Sequence, residues 1–395
     1  MKKTFLAIAL SSLLIGCGGS DNKKTEQTPQ LKTGVLIDGP IAGATYTING
    51  VEKTTNNDGE FEYQDGDEII FKIGGIEIGR VQAAPRITPL DLAEDENKRI
   101  NLMIFLQSLD ENNDHDDGIK IPDGFIFDLK GANIDFSLAS DEFVQKFQPI
   151  LNDQEEFSDK TVVSPEIAKQ NFTKNLLKDL AGVWLLENYD STDESIIVLK
   201  INDQGEYMLG EVVLEEEDIE FSGVEMGELN INPLNYAINA TATIDTNEDW
   251  GLADGDESTP LKLSFDGTVL KITEIDNPEF FANLVRIPQN SNSIVGAWST
   301  ESGRQLFTFH NNGTFMLVDT IGDEATNPCG GPGLEYGKYR VVSNKLFIDS
   351  ISHNTNGCAG FSDNNAHLGL TIQLSAQSLS FTVSSEGSFT LTRDQ

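Results

Sequence analysis

The stretch Gly296–Thr320, GAWSTESGRQLFTFHNNGTFMLVDT, decides the fold of the C-terminal part of the chain. Apolar and polar residues alternate along it on both sides of Asn311-Asn312-Gly313. Such alternation is typical of half-buried β-strands, and an Asn-Gly pair between two such runs is typical of a hairpin. The stretch therefore predicts two antiparallel strands at the start of a β-meander.

An earlier part of the chain repeats this unit. Four short segments recur in the same order, at offsets of 114, 108, 110 and 109 residues. The matched pairs are Gly182-x-Trp184 with Gly296-x-Trp298, GEYML at Gly205–Leu209 with GTFML at Gly313–Leu317, GVEMG at Gly223–Gly227 with GLEYG at Gly333–Gly337, and TN…GLAD at Thr246–Asp254 with TN…GFSD at Thr355–Asp363. Chance does not readily give four ordered matches at one period, so the sequence predicts a duplicated β-unit of about 110 residues.

Each copy opens with Gly-x-Trp and continues as a meander, and in this it resembles the lipocalin family. The resemblance implies two antiparallel barrels in tandem, at 181–288 and 292–395. It also implies that Trp184 and Trp298 close the barrel floors. The residues leave one alternative open, a compact β-sandwich in which both tryptophans are ordinary core residues.

The N-terminal part predicts a small β-sandwich, because short strand-like runs alternate there with turn signals. The runs are Val35–Ile37, Ala44–Ile48, Glu60–Tyr63, Glu68–Ile73 and Ile76–Val81, and the turns are at Asp38-Gly39-Pro40, Asn49-Gly50, Asp58-Gly59 and Asp65-Gly66. Asp38-Gly39-Pro40-Ile41, Gly43-Ala44, Asp58-Gly59 and Phe61-x-Tyr63 resemble the carboxypeptidase regulatory-like, transthyretin-like β-domain of bacterial surface proteins. That resemblance implies a non-catalytic spacer or binding module.

A mainly helical section follows, and we expect it to pack on the sandwich as one region, 34–180. Ser164-Pro165 is typical of a helix start, with a capping serine and proline at the first position. Gly182 is typical of a helix stop. The residues expected on the buried helix faces are Ile100, Met103, Ile104, Leu106, Ile167, Leu176, Leu177 and Leu180.

The N-terminus has the layout of a secretory signal peptide: Met1-Lys2-Lys3, then the apolar run Phe5–Ile15. This run is too short to span a bilayer as a helix, which needs about 20 residues. Leu14-Ile15-Gly16-Cys17 resembles the lipobox of bacterial lipoproteins. The resemblance implies cleavage after residue 16 and acyl chains on Cys17 that anchor the protein in a membrane. The alternative is an ordinary signal peptide with a chance cysteine.

Residues 17–33 are mostly small and polar, which predicts a flexible tether. Gly18 stands where inner-membrane retention signals of lipoproteins usually have Asp, so the resemblance favours the outer membrane, on its periplasmic or cell-surface face. The chain carries a net charge of −37. Such a charge excludes nucleic acid as an expected partner, because nucleic-acid binding depends on neutralising phosphates. The candidate partner is a protein or glycan of the cell surface, and the alternative interpretation of the charge is solubility at an exposed location.

Three cysteines occur, and Cys17 is assigned to the lipid. Cys329 and Cys358 form an even pair in a chain expected to be exported, so we predict a disulfide between them.

Asp110, Asn112, Asp114 and Asp116 stand at alternate positions of an acidic loop. Oxygen ligands at this spacing can wrap around a hard cation, so the loop predicts a calcium site, and Ca²⁺ is the one candidate cofactor. The loop departs from the EF-hand pattern at two positions, His115 for glycine and Ile121 for glutamate. A solvated acidic loop without an ion is the alternative.

The sequence contains none of the familiar catalytic signatures, such as a Gly-x-Ser-x-Gly elbow, a Walker loop or His-Glu-x-x-His. We therefore expect a non-enzymatic, lipid-anchored envelope protein that serves adhesion, binding or assembly. The alternative is a lipocalin-like carrier of a small apolar ligand, which requires a cavity of at least about 300 Å³. A hydrolase whose site lies on unaligned loops is a third hypothesis.

Overall fold

The computed structural model describes residues 30–188, 195–247, 250–253, 260–322, 330–357, 360–362, 366–383 and 387–394. It confirms the predicted class: a small β-sandwich with helices, followed by two closed eight-stranded antiparallel barrels.

The sandwich consists of two small sheets, with a separate two-stranded pair beside them. Its strands are β1 (Lys32–Leu36), β2 (Ile41–Ala42), β3 (Thr45–Ile48), β4 (Val51–Thr54), β5 (Glu60–Tyr63), β6 (Glu68–Ile73), β7 (Ile76–Gln82) and β8 (Arg86–Ile87), and β9 (Ile119–Lys120) pairs with β2. One sheet has the order β5-β1-β8 and the other β4-β3-β6-β7. Alternate residues of β5 and β6 point inward, so Phe61 of one sheet packs against Phe71 and Tyr46 of the other, with ring centroids 5.2 and 5.9 Å apart.

Four α-helices and a 3₁₀ turn follow the sandwich strands: α1 (Pro89–Leu92), α2 (Glu96–Ser108), α3 (Ser140–Asn152), the 3₁₀ turn Glu155–Phe157, and α4 (Pro165–Leu180). Every residue of α2 from Ile100 to Ser108 is buried. A helix buried on all sides belongs inside a core, and α2 packs in the same apolar cluster as the sandwich. The predicted buried residues of α2 are thus confirmed.

Helix α4 begins as predicted, since the Ser164 side chain accepts a hydrogen bond from the Ile167 N–H at 3.3 Å. Two expectations for this helix are wrong. Ile167 is exposed, and the three leucines at the end of the helix pack into the first barrel instead of the sandwich. The reason is that α4 runs directly into the first barrel strand, which places its last turns beneath that barrel.

The two barrels have the same strand order. Barrel 1 consists of β10 (Gly182–Leu186), β11 (Ser195–Ile201), β12 (Glu206–Val213), β13 (Gly223–Ile231), β14 (Ala237–Asp245), β15 (Leu261–Phe265), β16 (Val269–Glu274) and β17 (Phe281–Arg286). Barrel 2 consists of β18 (Gly296–Ser299), β19 (Gln305–Phe309), β20 (Thr314–Asp319), β21 (Gly333–Val342), β22 (Lys345–Asn354), β23 (Leu370–Leu374), β24 (Ser378–Val383) and β25 (Gly387–Arg393). Short 3₁₀ turns occur at Ile219–Phe221 and Ala366–Leu368. We call the end at which β10 or β18 begins the floor of its barrel, and the other end the mouth.

The matched sequence segments occupy matched places in the barrels. Gly227 and Gly337 both lie at a β-bulge, between β13 and β14 in barrel 1 and between β21 and β22 in barrel 2. A Cβ atom at Gly227 would lie 1.9 Å from the Thr241 carbonyl oxygen, and one at Gly337 would lie 2.0 Å from that of Ser350. Only glycine fits so close to a neighbouring strand, which explains why both copies of the segment end in glycine.

An apolar layer joins the barrels. It is built from the outer faces of β10–β13 and β18–β21, and it includes Val183, Leu185, Ile196, Val198, Met208, Val212, Val224, Ile287, Ala297, Leu306, Met316, Val318 and Leu334. Gly210 lies in this layer, where a Cβ would come within 2.5 Å of a Val318 methyl carbon. Lys200 of barrel 1 also donates to Asp394 beyond barrel 2 at 2.7 Å. These contacts hold the two barrels together as one body.

Candidate functional site

The predicted calcium loop lies between α2 and β9. Its first member, Asp110, is fully buried, and its Oδ1 accepts the Lys120 N–H at 3.0 Å. The other oxygen, Oδ2, lies 3.7 Å from His115 Nδ1, and neither of these two atoms has a hydrogen-bond partner. Asp110 therefore points into the loop, where its hydrogen bond to Lys120 holds β9 in place.

The other three predicted ligands follow the loop surface. Asn112 Oδ1 accepts the Asp114 N–H at 2.7 Å, and Asp114 Oδ1 accepts the Asp116 N–H at 3.2 Å. The Asp116 carboxylate contacts Lys174 at 2.6 Å and Lys178 at 3.1 Å. Hydrogen bonds from these two lysines lower the pKa of Asp116. Lysines of α4 thus already neutralise the exposed end of the predicted ligand set.

Among the residues that the structure describes, no group of three or more Asp, Glu, His or Cys side chains is arranged to hold a metal ion. Calcium at Asp110, Asn112, Asp114 and Asp116 stays a prediction. Cys17, Cys329 and Cys358 lie outside the described residues, so the lipid and disulfide predictions stay predictions as well.

A site that the sequence reasoning missed lies inside the mouth of barrel 1. Glu225 is fully buried, and its carboxylate accepts hydrogen bonds from the N–H groups of Leu252 and Ala253 at 2.8 and 2.7 Å. The Tyr207 hydroxyl donates a third hydrogen bond to it. Burial raises the pKa of Glu225, while the donors favour its charged form. The glutamate thereby fastens the loop that follows β14 over the mouth.

Barrel 2 contains the same device. Glu335 is fully buried and accepts the N–H groups of Phe361 and Ser362 at 2.8 and 2.9 Å. Burial raises its pKa too. The repeat itself carried the signal for this pair, because Glu225 and Glu335 are the central residues of the matched GVEMG and GLEYG segments.

A buried asparagine lies in the same mouth loop of each barrel. Asn247 and Asn356 are both fully buried, and their side-chain nitrogen and oxygen atoms have no hydrogen-bond partner. A Cβ at Gly251 would lie 2.1 Å from Glu225 Oε2 and 2.8 Å from Asn247 Nδ2, so glycine is required between them. Each mouth is therefore polar inside, although the rest of each barrel interior is apolar.

Glu211 adds a second carboxylate to the mouth of barrel 1. It is buried, and burial raises its pKa from 4.5 to about 7. Its Oε2 has no hydrogen-bond partner. The residue borders a cavity of about 20 Å³, together with Glu274, Leu252 and Phe281. That volume holds about one water molecule, so the interior of barrel 1 is essentially filled by side chains. The filled interior gives no support to a carrier role for barrel 1.

His310 is the one histidine of the described residues that is buried to near completion, at 2 % exposure. Its Nδ1 and Nε2 lie 2.9 and 3.1 Å from the hydroxyl oxygens of Thr314 and Thr308. Burial lowers the pKa of His310 to about 3, so the ring is neutral near pH 7. A neutral, enclosed ring of this kind packs in the core and hydrogen-bonds to its neighbours, and it is not placed for acid–base chemistry on a substrate.

The described part of the chain contains no helix that is both long enough and apolar enough to cross a membrane. No family model, curated protein or solved structure matches this chain. The proposals below therefore depend on the residues and geometry of the chain itself.

Proposed function

We propose that this chain is a non-enzymatic, lipid-anchored cell-envelope protein that acts as a surface binding or assembly module. The observation that carries the proposal is the continuous apolar layer that joins the two barrels, together with the filled interior of barrel 1. A barrel that encloses almost no free volume, and that is fixed to a second barrel, works through its outer surface. The duplication then serves to build a larger rigid surface on one tether.

The membrane location in this proposal derives from the N-terminal sequence. Acyl chains on Cys17 would hold the protein, since stable anchoring takes more than one chain and a lipoprotein cysteine carries several. The net charge of −37 repels an anionic membrane surface, and a polar tether at 17–33 would keep the acidic body away from it. The face of the outer membrane on which the body lies is part of what an experiment must establish.

Membrane fractionation tests whether Cys17 anchors the protein in the membrane. Cys17→Ala should move the protein from the membrane to the soluble fraction, whereas the matched control Ser20→Ala should leave it in the membrane. Mass spectrometry of the parent should find residues 1–16 removed and acyl chains on Cys17. A Cys17→Ala protein that stays in the membrane, together with an unacylated parent, would show that the proposed anchor is wrong.

Ligand content tests the module against the carrier. The proposal expects the purified protein to release no stoichiometric small molecule on denaturation, because a surface module holds no ligand inside. The cavity of about 20 Å³ in barrel 1 is too small for one. One equivalent of a lipid or other apolar compound in the denatured extract would favour the carrier instead.

A further inference from the structure

The floors of the two barrels are covered differently. In barrel 1, Leu176, Leu177 and Leu180 of α4 belong to the same buried cluster as Trp184. The indole N–H of Trp184 donates to the Leu180 carbonyl at 2.9 Å. The last turn of α4 therefore closes this floor from below.

Barrel 2 keeps the indole contact without the helix. The Trp298 indole N–H donates to the Ile294 carbonyl at 2.8 Å, so Ile294 takes the place of Leu180. A turn precedes Ile294, in which the Ser293 N–H donates to the Asn290 carbonyl at 3.1 Å. The floor of barrel 2 is consequently an open groove of about 650 Å³, which lies within the range of known ligand sites.

Equivalent residues show that the wall of this groove is apolar and reached by water. Ile231 in barrel 1 is 7 % exposed, whereas Val341, four residues beyond the bulge glycine as Ile231 is in barrel 1, is 42 % exposed. Leu374, at the end of β23, is 36 % exposed. Barrel 2 thus leaves open an apolar surface that barrel 1 buries, and such surfaces mark sites of association.

The groove is uncharged, although the chain as a whole carries a net charge of −37. Among the described residues that line it, none is charged. Its apolar lining residues include Ile294, Tyr339, Val341, Ile372 and Leu374. A charged group placed against this lining would lose water without gaining a partner, and the acidic body repels anions in addition. The groove therefore selects an uncharged occupant.

Two amide side chains supply neutral hydrogen-bonding groups to the groove. Asn292, in the turn before β18, and Asn344, in the turn between β21 and β22, both line it. Within the described part of the chain, their backbone groups are hydrogen-bonded but their side-chain amides have no partner. An amide both donates and accepts, so these two groups can pair with the hydroxyls of a ligand.

The groove is held in shape before any ligand arrives. Arg393, behind the turn, donates to the carbonyls of Ser293 and Val295, both at 3.0 Å. The Tyr339 hydroxyl donates to the His310 carbonyl at 3.0 Å, which fixes the ring at the groove wall. A preformed site of this kind has little ordering entropy left to lose on binding.

The open side of the groove separates the classes of uncharged ligand. An entirely apolar molecule would keep one face in water, whereas ligand sites bury about 70–90 % of a ligand's surface. An extended peptide would find no free strand edge, because the barrel is closed. A pyranose ring combines an apolar C–H face with a rim of hydroxyls, and it can leave its other face hydrated.

We propose that the floor of barrel 2 binds the neutral pyranose units of a glycan. The C–H face of a sugar would pack on Tyr339 and Val341, and its hydroxyls would pair with the amides of Asn292 and Asn344. This inference rests on the proposed function as a surface binding module and deepens it by naming the site and the ligand class. It does not depend on the lipid anchor.

Three neutral hexasaccharides provide the probes: maltohexaose, cellohexaose and chitohexaose. Binding to the full chain is measured by ligand-observed NMR with each sugar at up to about 10 mM, since a shallow open site corresponds to a Kd of about 1 mM. We expect saturable binding of at least one of them. The acidic counterpart, hexagalacturonate, is the matched control and should not bind.

Variants of the protein locate the site. Val341→Asp should weaken binding at least about tenfold, because it replaces part of the apolar wall with a carboxylate. The matched control Val51→Asp, at an exposed valine of the sandwich, should bind like the parent. Asn292→Ala should weaken binding about threefold or more through loss of a hydrogen bond, whereas Asn239→Ala, at an exposed asparagine of β14, should not. Circular dichroism checks that all four variants fold.

Four results would overturn the inference. The first is no binding of any neutral hexasaccharide at about 10 mM, a concentration at which even weak contacts are populated. The second is equal binding by Val341→Asp, and the third is equal binding of hexagalacturonate. The fourth is self-association of the parent that Val341→Asp abolishes, which would assign the groove to a second copy of this chain. None of these results bears on fractionation of Cys17→Ala, so failure of this inference and failure of the proposed anchor are separable.

Discussion

Arg393 lies over the indole ring of Trp298, with its guanidinium carbon 3.9 Å from the ring centroid. Barrel 1 repeats the arrangement with Arg286 over Trp184 at 4.4 Å. Each arginine also donates to backbone carbonyls of the segment that leads into the first strand of its barrel. One pair of side chains therefore closes the barrel floor and fixes the entering chain.

Arg393→Lys should reduce the free energy of unfolding by about 2 kcal/mol, because lysine keeps the charge but loses the planar fork. The fork serves five acceptors: Gln289 Oε1 and the carbonyls of Asn290, Ser293, Val295 and Ala376. Urea unfolding followed by tryptophan fluorescence measures the change. Arg80→Lys, at an exposed ion pair of the sandwich, is the control and should change stability little. Equal effects of the two variants would contradict a structural role for Arg393.

Glu211→Gln should flatten the pH dependence of stability. Burial raises the pKa of Glu211 from 4.5 to about 7, so the folded protein keeps a proton that the unfolded chain releases above pH 4.5. The stability that this proton provides is complete below pH 4.5 and is lost as pH rises through 7. The loss from this group amounts to roughly 3 kcal/mol.

Chemical unfolding at pH 4.5 and at pH 8 measures this difference for the parent and for Glu211→Gln. The exposed Glu206 lies on the same strand, and Glu206→Gln is the matched control with a parent-like pH profile. A Glu211→Gln protein with the same pH dependence as the parent would show that the carboxyl is not protonated in the folded state.

Gly210→Val should weaken the contact between the barrels. The added side chain meets a Val318 methyl carbon at 2.5 Å and Met316 Sδ at 3.1 Å, and overpacking of this kind costs about 1–3 kcal/mol. Gly331→Ala is the control, since a Cβ there has nothing within 4 Å. We expect a lower melting temperature by calorimetry for Gly210→Val alone. An unchanged melt would mean that the apolar layer is looser than its packing indicates.

Chelation tests whether calcium or the lysines of α4 neutralise the acidic loop that begins at Asp110. If calcium binds, EDTA should lower the melting temperature and Asp114→Ala should abolish that response. That response is the predicted one. Coinciding melts would mean instead that Lys174 and Lys178, which contact Asp116, already neutralise the loop without an ion. Differential scanning calorimetry of the full chain, with magnesium–EDTA as the control, decides between these outcomes.

The repeat and the barrels were predictable from local pattern. Trp184, Trp298 and the bulge glycines recur at nearly constant spacing, and each has a steric reason that acts within one or two strands. Glu225 and Glu335 could be recognised in the sequence only as members of the matched segments, without any indication that they are buried. Their burial depends on strands far apart in sequence, because Glu225 is enclosed only when the loop after β14 folds back over the mouth.

The sequence by itself determined the alternation of strands and turns, the duplication, and the helix that starts at Ser164. Those features follow from side-chain period and backbone preference, which act over a few residues. Only the tertiary structure decided that the end of α4 closes barrel 1 and that the floor of barrel 2 stays open. The spacing of Leu176, Leu177 and Leu180 predicts that this helix buries one face. The partner for that face is set by the direction in which the chain enters Gly182, and that direction exists only once the first barrel has closed.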